Sequence, residues 1–310
     1  MTRAVVFAYH NVGVRCLSVL LAHGVDIPLL LTHTDSPAET IWFESVAELA
    51  ARHDIPVITP DDANAPEIVE RIRALQPDFL FSFYYRFMLK SEILGIPQRG
   101  AYNMHGSLLP KYRGRVPVNW AIIRGENETG ASLHAMTEKP DAGALVEQQA
   151  VPILPDDTAA EVFHKVTCAA EIALNRCLPS LLAGMAKHAP LDLSLGSYFG
   201  GRRAEDGKIR WLEPAQAIHN LVRAVAPPYP GAYTSLAGMP MRILRTQMET
   251  ARRVRSTAPA FYCEAGRCYA ECGDGKVLRI LEFELDGRSM NAKQFNQRYG
   301  HEARLFDNDF

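Results

Sequence analysis

From its start to about residue 105 the chain alternates short apolar, β-branched runs with stretches of helical period, and this alternation restricts the fold more than any other feature. AVVFAY (4–9), VDIPLLLTH (25–33), PVITP (56–60) and PDFLFSF (77–83) read as buried strands, and GAYNMHGS (100–107) as a fifth. Between them VRCLSVLLAHG (14–24), FESVAELAARHD (43–54) and PEIVERIRALQ (66–76) carry helical spacing, with Gly24 placed to end the first and Pro66 to begin the third. Strands alternating with helices build an α/β fold around an open, mostly parallel, Rossmann-like sheet, whose ligands sit at the carboxyl ends of the strands.

The second half reads differently. Residues 156–185 form one long helical stretch, with Asp157 or Thr158 able to cap it and Gly184 to end it. LGSYFGGRRAEDGK (195–208), rich in glycine and charge, reads as an interdomain linker. Beyond the helical PAQAIHNLVRAV (214–225) come short strand candidates separated by turn glycines, from AYTSLAG (232–238) to KVLRILEFELDG (276–287). The expected organisation is a catalytic domain at 1–198 and a smaller β-rich, OB-like barrel or sandwich at 199–310.

The 310 residues include 33 Lys and Arg against 35 Asp and Glu, so no global field favours nucleic acid or an anionic membrane. The N-terminal run is too short for a secretory signal and nothing later has the length of a membrane span, so a cytoplasmic protein without membrane insertion is expected. The six cysteines, at 16, 168, 177, 263, 268 and 272, lack CxxC spacing and read as reduced residues, with neither a disulfide framework nor a metal cluster. ARRVR (251–255) reads as a solvated loop. YHNVG follows the first strand where a dinucleotide-binding GxGxxG would stand, and GxSxG, HExxH and GxxxxGK[ST] are absent.

Asn103 and His105 project from one face of the fifth strand near its end. An amide beside an imidazole there can stabilise an oxyanion while the ring handles a proton. Asp141 lies in a turn (KPDAGAL, 139–145) between GASLHAM (130–136) and LVEQQAVPI (145–153), which read as the strands of a hairpin. It is either a simple turn residue or a carboxylate presented to His105, orienting its ring and raising its pKa. Without a metal, such a trio suits acyl or formyl transfer.

FSFYYRFML (81–89), NMHGSLLPKYRGRVPVNWAII (103–123), TGASLHAM (129–136) and KPDAGALV (139–146) together resemble the folate-dependent formyltransferases, and the resemblance extends to VVFAYHNVG, THTDSPAE, FGGRR and VRAVAPPYPGAY. It implies His105 as catalytic acid/base, Asn103 as transition-state stabiliser and Asp141 as the group tuning the histidine. It also implies 10-formyltetrahydrofolate as donor, held by Phe87, Met88, Leu89, Arg115 and the segment Thr137, Glu138, Lys139, Pro140 and Asp141; for Phe87 to Leu89, ordinary apolar packing is the competing role. The implied acceptor is a small molecule, UDP-4-amino-4-deoxy-L-arabinose, formylated on its 4-amine for lipid A modification. As the chain stops at Phe310, the decarboxylase domain that accompanies such an enzyme is expected on another polypeptide. Methionyl-tRNA formyltransferase, another sugar-nucleotide N-formyltransferase, and a folate- or nucleotide-binding module without turnover remain as alternatives.

Overall fold

The computed structural model describes residues 1–37, 39–252, 254–256 and 258–307. Ala38 of THTDSPAE, Arg253 of ARRVR and the terminal Phe310 therefore lie outside the described residues. The chain divides into two compact units, one comprising Met1–Pro117, Glu128–Pro152 and Phe163–Gly200, the other Val118–Asn127, Ile153–Val162 and Gly201–Phe310.

The elements run in the order β1 (Arg3–Ala8), α1 (His10–Ala22), β2 (Asp26–Leu31), α2 (Val46–Ala51), β3 (Val57–Ile58), α3 (Pro66–Ala74), β4 (Phe79–Phe83), α4 (Ser91–Leu94), β5 (Ala101–His105), β6 (Arg113–Gly114), α5 (Pro117–Ile123), β7 (Glu128–Ala135), β8 (Leu145–Pro152), α6 (Ala159–Leu182) and β9 (Tyr198–Phe199). β3-β2-β1-β4-β5-β7-β8 form one sheet. The pairs from β3 to β5 are parallel, and β5–β7 and β7–β8 are antiparallel. The expected alternation thus produces a mostly parallel sheet, ended by the expected hairpin. β4 is buried at every position, which is why its sequence is apolar at every position but Ser82. Phe79, Phe81 and Phe83 are stacked along one face of it and essentially inaccessible, each contributing roughly 1.5–3 kcal/mol of burial. Leu80 points the other way, into a cluster with Val5, Phe7, Leu29, Leu31 and Ile72.

Caps set the helix starts. Ser45 Oγ accepts the Glu48 N–H, and Thr158 and Glu161 exchange side-chain and backbone hydrogen bonds. Pro66 opens α3, and Gly184 takes a left-handed conformation after α6.

The sequence stretch expected as a linker is not irregular throughout. Tyr198 and Phe199 form β9, parallel to β6, in a separate two-stranded sheet. Two residues carry no readable period, and their partner lies far away in sequence.

The second unit contains α7 (Ala215–Ala224), β10 (Ala232–Leu236), β11 (Met239–Glu249), β12 (Ala260–Glu264), β13 (Arg267–Glu271), β14 (Val277–Leu285), β15 (Arg288–Ser289), α8 (Ala292–Tyr299) and β16 (Arg304–Leu305). Its antiparallel sheet runs β10-β11-β14-β13-β12-β16, with β15 on β14, and a bridge from Leu236 to Phe306 brings the two edges together in barrel fashion. Trp211 stacks on Phe306, and Ile218 and Val222 of α7 join the same apolar cluster. The six cysteines are free, and Cys263 and Cys268 lie opposite one another on β12 and β13. Among the described residues no helix is long and apolar enough to cross a membrane.

Candidate active site

β5 ends at His105, and its pairing with β7 sets Asn103 opposite His134 and His105 opposite Ser132. With a period of two, these four side chains belong to one face, and the turn after β7 carries Asp141 back to it. Asp141 Oδ1 stands 3.5 Å from His105 Nδ1 and 3.5 Å from His134 Nε2, while Oδ2 accepts the Gly114 N–H at 2.9 Å. The sequence-derived trio is therefore one cluster. The His105 side chain is 7% exposed and that of Asp141 13%, so its electrostatics act with little screening by water.

Hydrogen-bond roles follow from the partners. His105 Nε2 donates to the Tyr112 carbonyl at 2.8 Å, leaving Nδ1 toward the carboxylate. His134 Nδ1 donates to the Ala135 carbonyl at 2.8 Å, so in the neutral ring Nε2 accepts from Asn103 Nδ2 at 3.2 Å. The second contact of that amide, to Asp141 Oδ1 at 3.5 Å, is long for a hydrogen bond and readily exchanged for a better acceptor. Burial works to raise the pKa of Asp141, but the His105 and His134 rings and the Gly114 N–H outweigh it and hold the carboxyl well below its usual range.

The loop between β5 and β6 is fixed from below. Ser132 Oγ donates to the Ser107 carbonyl at 2.6 Å and accepts the Leu109 N–H at 3.1 Å. Gln148 of β8 donates to the Leu109 carbonyl and to Ser132 Oγ. Tyr112 N–H is held by Ser197 Oγ, and Arg113 and Arg115 N–H by the carbonyls of Ser197 and Phe199. This scaffolding places the Tyr112 carbonyl and the Gly114 N–H. Gly114 has φ of +97°, and a Cβ there would fall 2.2 Å from the Phe199 carbonyl oxygen, so only glycine fits.

Sequence reasoning missed His134, Ser132 and Gln148. Their signal was available for the first two: in GASLHAM, Ser132 and His134 are polar residues two apart on an otherwise apolar strand.

The expected donor-binding residues separate by exposure. Phe87 and Met88 are 50% and 54% exposed, with the Phe87 ring edge-on to His33 at 4.8 Å. Leu89 is buried in the apolar cluster with Val69 and Ile93, so its side chain packs in the core. Arg115, Thr137, Glu138 and Lys139 are exposed and Pro140 half-buried. Thr137 Oγ1 donates to the Lys139 carbonyl, shaping the turn that delivers Asp141 in a left-handed conformation. Two large apolar side chains kept at the surface beside a strand's carboxyl end suit a flat heteroaromatic ligand. Among the described residues no group of three His, Cys, Asp or Glu side chains could hold a metal ion.

A model of the formyl transferase family matches residues 21–178, and one of the formyl transferase C-terminal domain matches residues 202–300. Solved structures share the fold. An N-formyltransferase from Helicobacter canadensis, in complex with folinic acid and dTDP-3-aminofucose, is 20% identical, with 90% of this chain and 99% of that one covered and a TM-score of 0.73. A sugar N-formyltransferase from a Shewanella species is 19% identical over 82% of this chain and 99% of its own, with a TM-score of 0.62. HypX from Aquifex aeolicus is 16% identical, and the match covers 97% of this chain but 48% of HypX, with a TM-score of 0.62.

Proposed function

Because the chain belongs to the formyl transferase family, we propose that it moves the formyl group of 10-formyltetrahydrofolate onto the amine of an amino-sugar nucleotide. The observation carrying this reading is the convergence of Asn103, His105 and Asp141 at the carboxyl end of β5. A relative of the same fold crystallised with folinic acid and an amino-sugar nucleotide supports the two substrate classes. The motifs FSFYYRFML, NMHGSLLPKYRGR and FGGRR resemble the formyltransferase domain of the polymyxin-resistance protein ArnA, which makes UDP-4-amino-4-deoxy-L-arabinose the first acceptor to test and lipid A modification in the cytoplasm the setting.

The amine must attack in its neutral form, gaining positive charge while negative charge grows on the formyl oxygen. Asn103 meets the second change: its Nδ2 exchanges the long contact to Asp141 for the oxyanion, a donor typically worth about 2.7–4 kcal/mol of barrier. His105 meets the first by carrying the proton from the amine to the departing folate nitrogen. Asp141, held well below the usual carboxyl range by its neighbours and 3.5 Å from His105 Nδ1, favours the protonated ring through its charge. Phe87 and Met88 offer the apolar surface for the donor, and the exposed residues Thr137, Glu138 and Lys139 stand directly before Asp141 in the chain.

Mass spectrometry of an acceptor panel tests the assignment. UDP-4-amino-4-deoxy-L-arabinose, a dTDP-4-amino sugar and charged initiator methionyl-tRNA are each incubated with the protein and donor. Formylation of the UDP sugar is expected; transfer to the tRNA alone would overturn the sugar reading.

A further inference from the structure

Arg113 is buried, at 9% exposure, yet its enclosed Nε makes no hydrogen bond, and among the described residues no carboxylate pairs with its guanidinium. The contrast with Arg223, the buried arginine of the second unit, is plain. That guanidinium is satisfied by Asn220 Oδ1 and the carbonyls of Leu154 and Asp157. Only Nε is fully enclosed; the Nη atoms keep some access to solvent, so a largely buried fork presents free donors without a counter-charge, and arginine cannot shed its charge. A residue kept in that state is explained by a ligand that supplies the missing anion.

Its position says which ligand. Arg113 lies on β6 between Tyr112, whose carbonyl holds His105 Nε2, and Gly114, whose N–H holds Asp141 Oδ2. The backbone on both sides is fixed to Ser197 and Phe199, so the side chain starts from a rigid base next to the reacting groups. In an amino-sugar nucleotide the diphosphate stands one pyranose ring away from the reacting amine. In the folate donor the carboxylates lie beyond the whole p-aminobenzoyl group. An arginine rooted beside the catalytic trio therefore suits the nearer anion, and its planar fork matches phosphate oxygens bidentately.

We propose that Arg113 is the anchor for the diphosphate of the acceptor nucleotide. This rests on the amino-sugar reading above, and its test uses binding as the readout so that the two stand or fall separately. Isothermal titration calorimetry with UDP and with 5-formyltetrahydrofolate compares wild type, Arg113→Met and Arg113→Lys. Arg113→Met is expected to weaken UDP about 10- to 100-fold, to leave the folate within about twofold, and to be partly rescued by lysine. The variant's melting temperature without ligand should equal or exceed that of wild type, because an unpaired buried charge has been removed. Unchanged UDP affinity, or loss of folate affinity in place of UDP affinity, would overturn the proposal. Should the variants fail to fold, wild type decides alone: UDP should raise its melting temperature and uridine should not, and equal shifts would remove the diphosphate from the argument. Arg113-dependent UDP binding without formylation of any amino sugar would leave the anion site standing and sink the proposed reaction.

Discussion

Asp141 faces His105 across 3.5 Å with one carboxylate oxygen while the other is tied to the Gly114 N–H at 2.9 Å. The carboxylate is thus fixed by the backbone and acts on the ring through its charge. Asp141→Asn can keep the Gly114 hydrogen bond and loses only that charge. Steady-state kinetics should show kcat falling about 10²- to 10³-fold with KM for both substrates little changed. A variant that mainly raised KM would make Asp141 a binding residue.

Gly106 follows His105 directly, and a Cβ at this position would lie 1.9 Å from the Tyr84 hydroxyl oxygen and 3.0 Å from the ring carbon bearing it. Gly106→Ala should therefore destabilise the protein by about 1–3 kcal/mol. Tyr84→Phe removes the nearer atom and leaves a contact that a small shift can relieve. A double-mutant cycle in urea should show the pair coupled by about 1 kcal/mol or more in the compensating sense; strict additivity would contradict the packing described.

His10 sits among Trp42, Phe43 and Phe163, with Nδ1 accepting the Asn11 N–H. Burial, then the charge of Arg86, pushes its pKa down to about 3, and the same causes bring His33 down to about 4. Both folded values lie below the ordinary value of about 6.5 in the unfolded chain. The unfolded state therefore binds more protons below pH 6.5, and stability that is fully present above that pH is lost as pH falls toward 4 and then 3. Denaturant midpoints should decline from pH 7 to pH 5, mostly above the ordinary carboxylate range of about 3.9–4.3. His10→Asn, a residue tolerant of the left-handed backbone at this position (φ +65°), should flatten the decline. An equally steep decline in the variant would assign it elsewhere.

The parallel sheet was legible because buried strands leave mostly apolar runs and helices leave a period, as at 79–83 and 66–76. Asn103 and His105 were legible as a same-face pair from period two alone. Asp141 was not separable from an ordinary turn residue, because its role depends on the β7–β8 hairpin returning it to β5, a non-local event. The grip of the Gly114 N–H and Tyr112 carbonyl on the trio is a backbone contribution, to which side-chain identity gives no clue. β9 stayed hidden in a glycine-rich stretch for the same reason.

The proposed reaction moves a formyl group onto a sugar amine at the Asn103, His105 and Asp141 trio. The most direct test follows the reacting carbon by NMR, with 10-formyltetrahydrofolate labelled with carbon-13 in its formyl group, UDP-4-amino-4-deoxy-L-arabinose as acceptor, and wild type beside His105→Gln. Wild type should give a labelled formamide carbon coupled to the sugar nitrogen, with the signal growing at least about 10²-fold more slowly in the variant. A formamide forming at the same rate in both, or label appearing only as free formate with wild type, would contradict the proposed reaction.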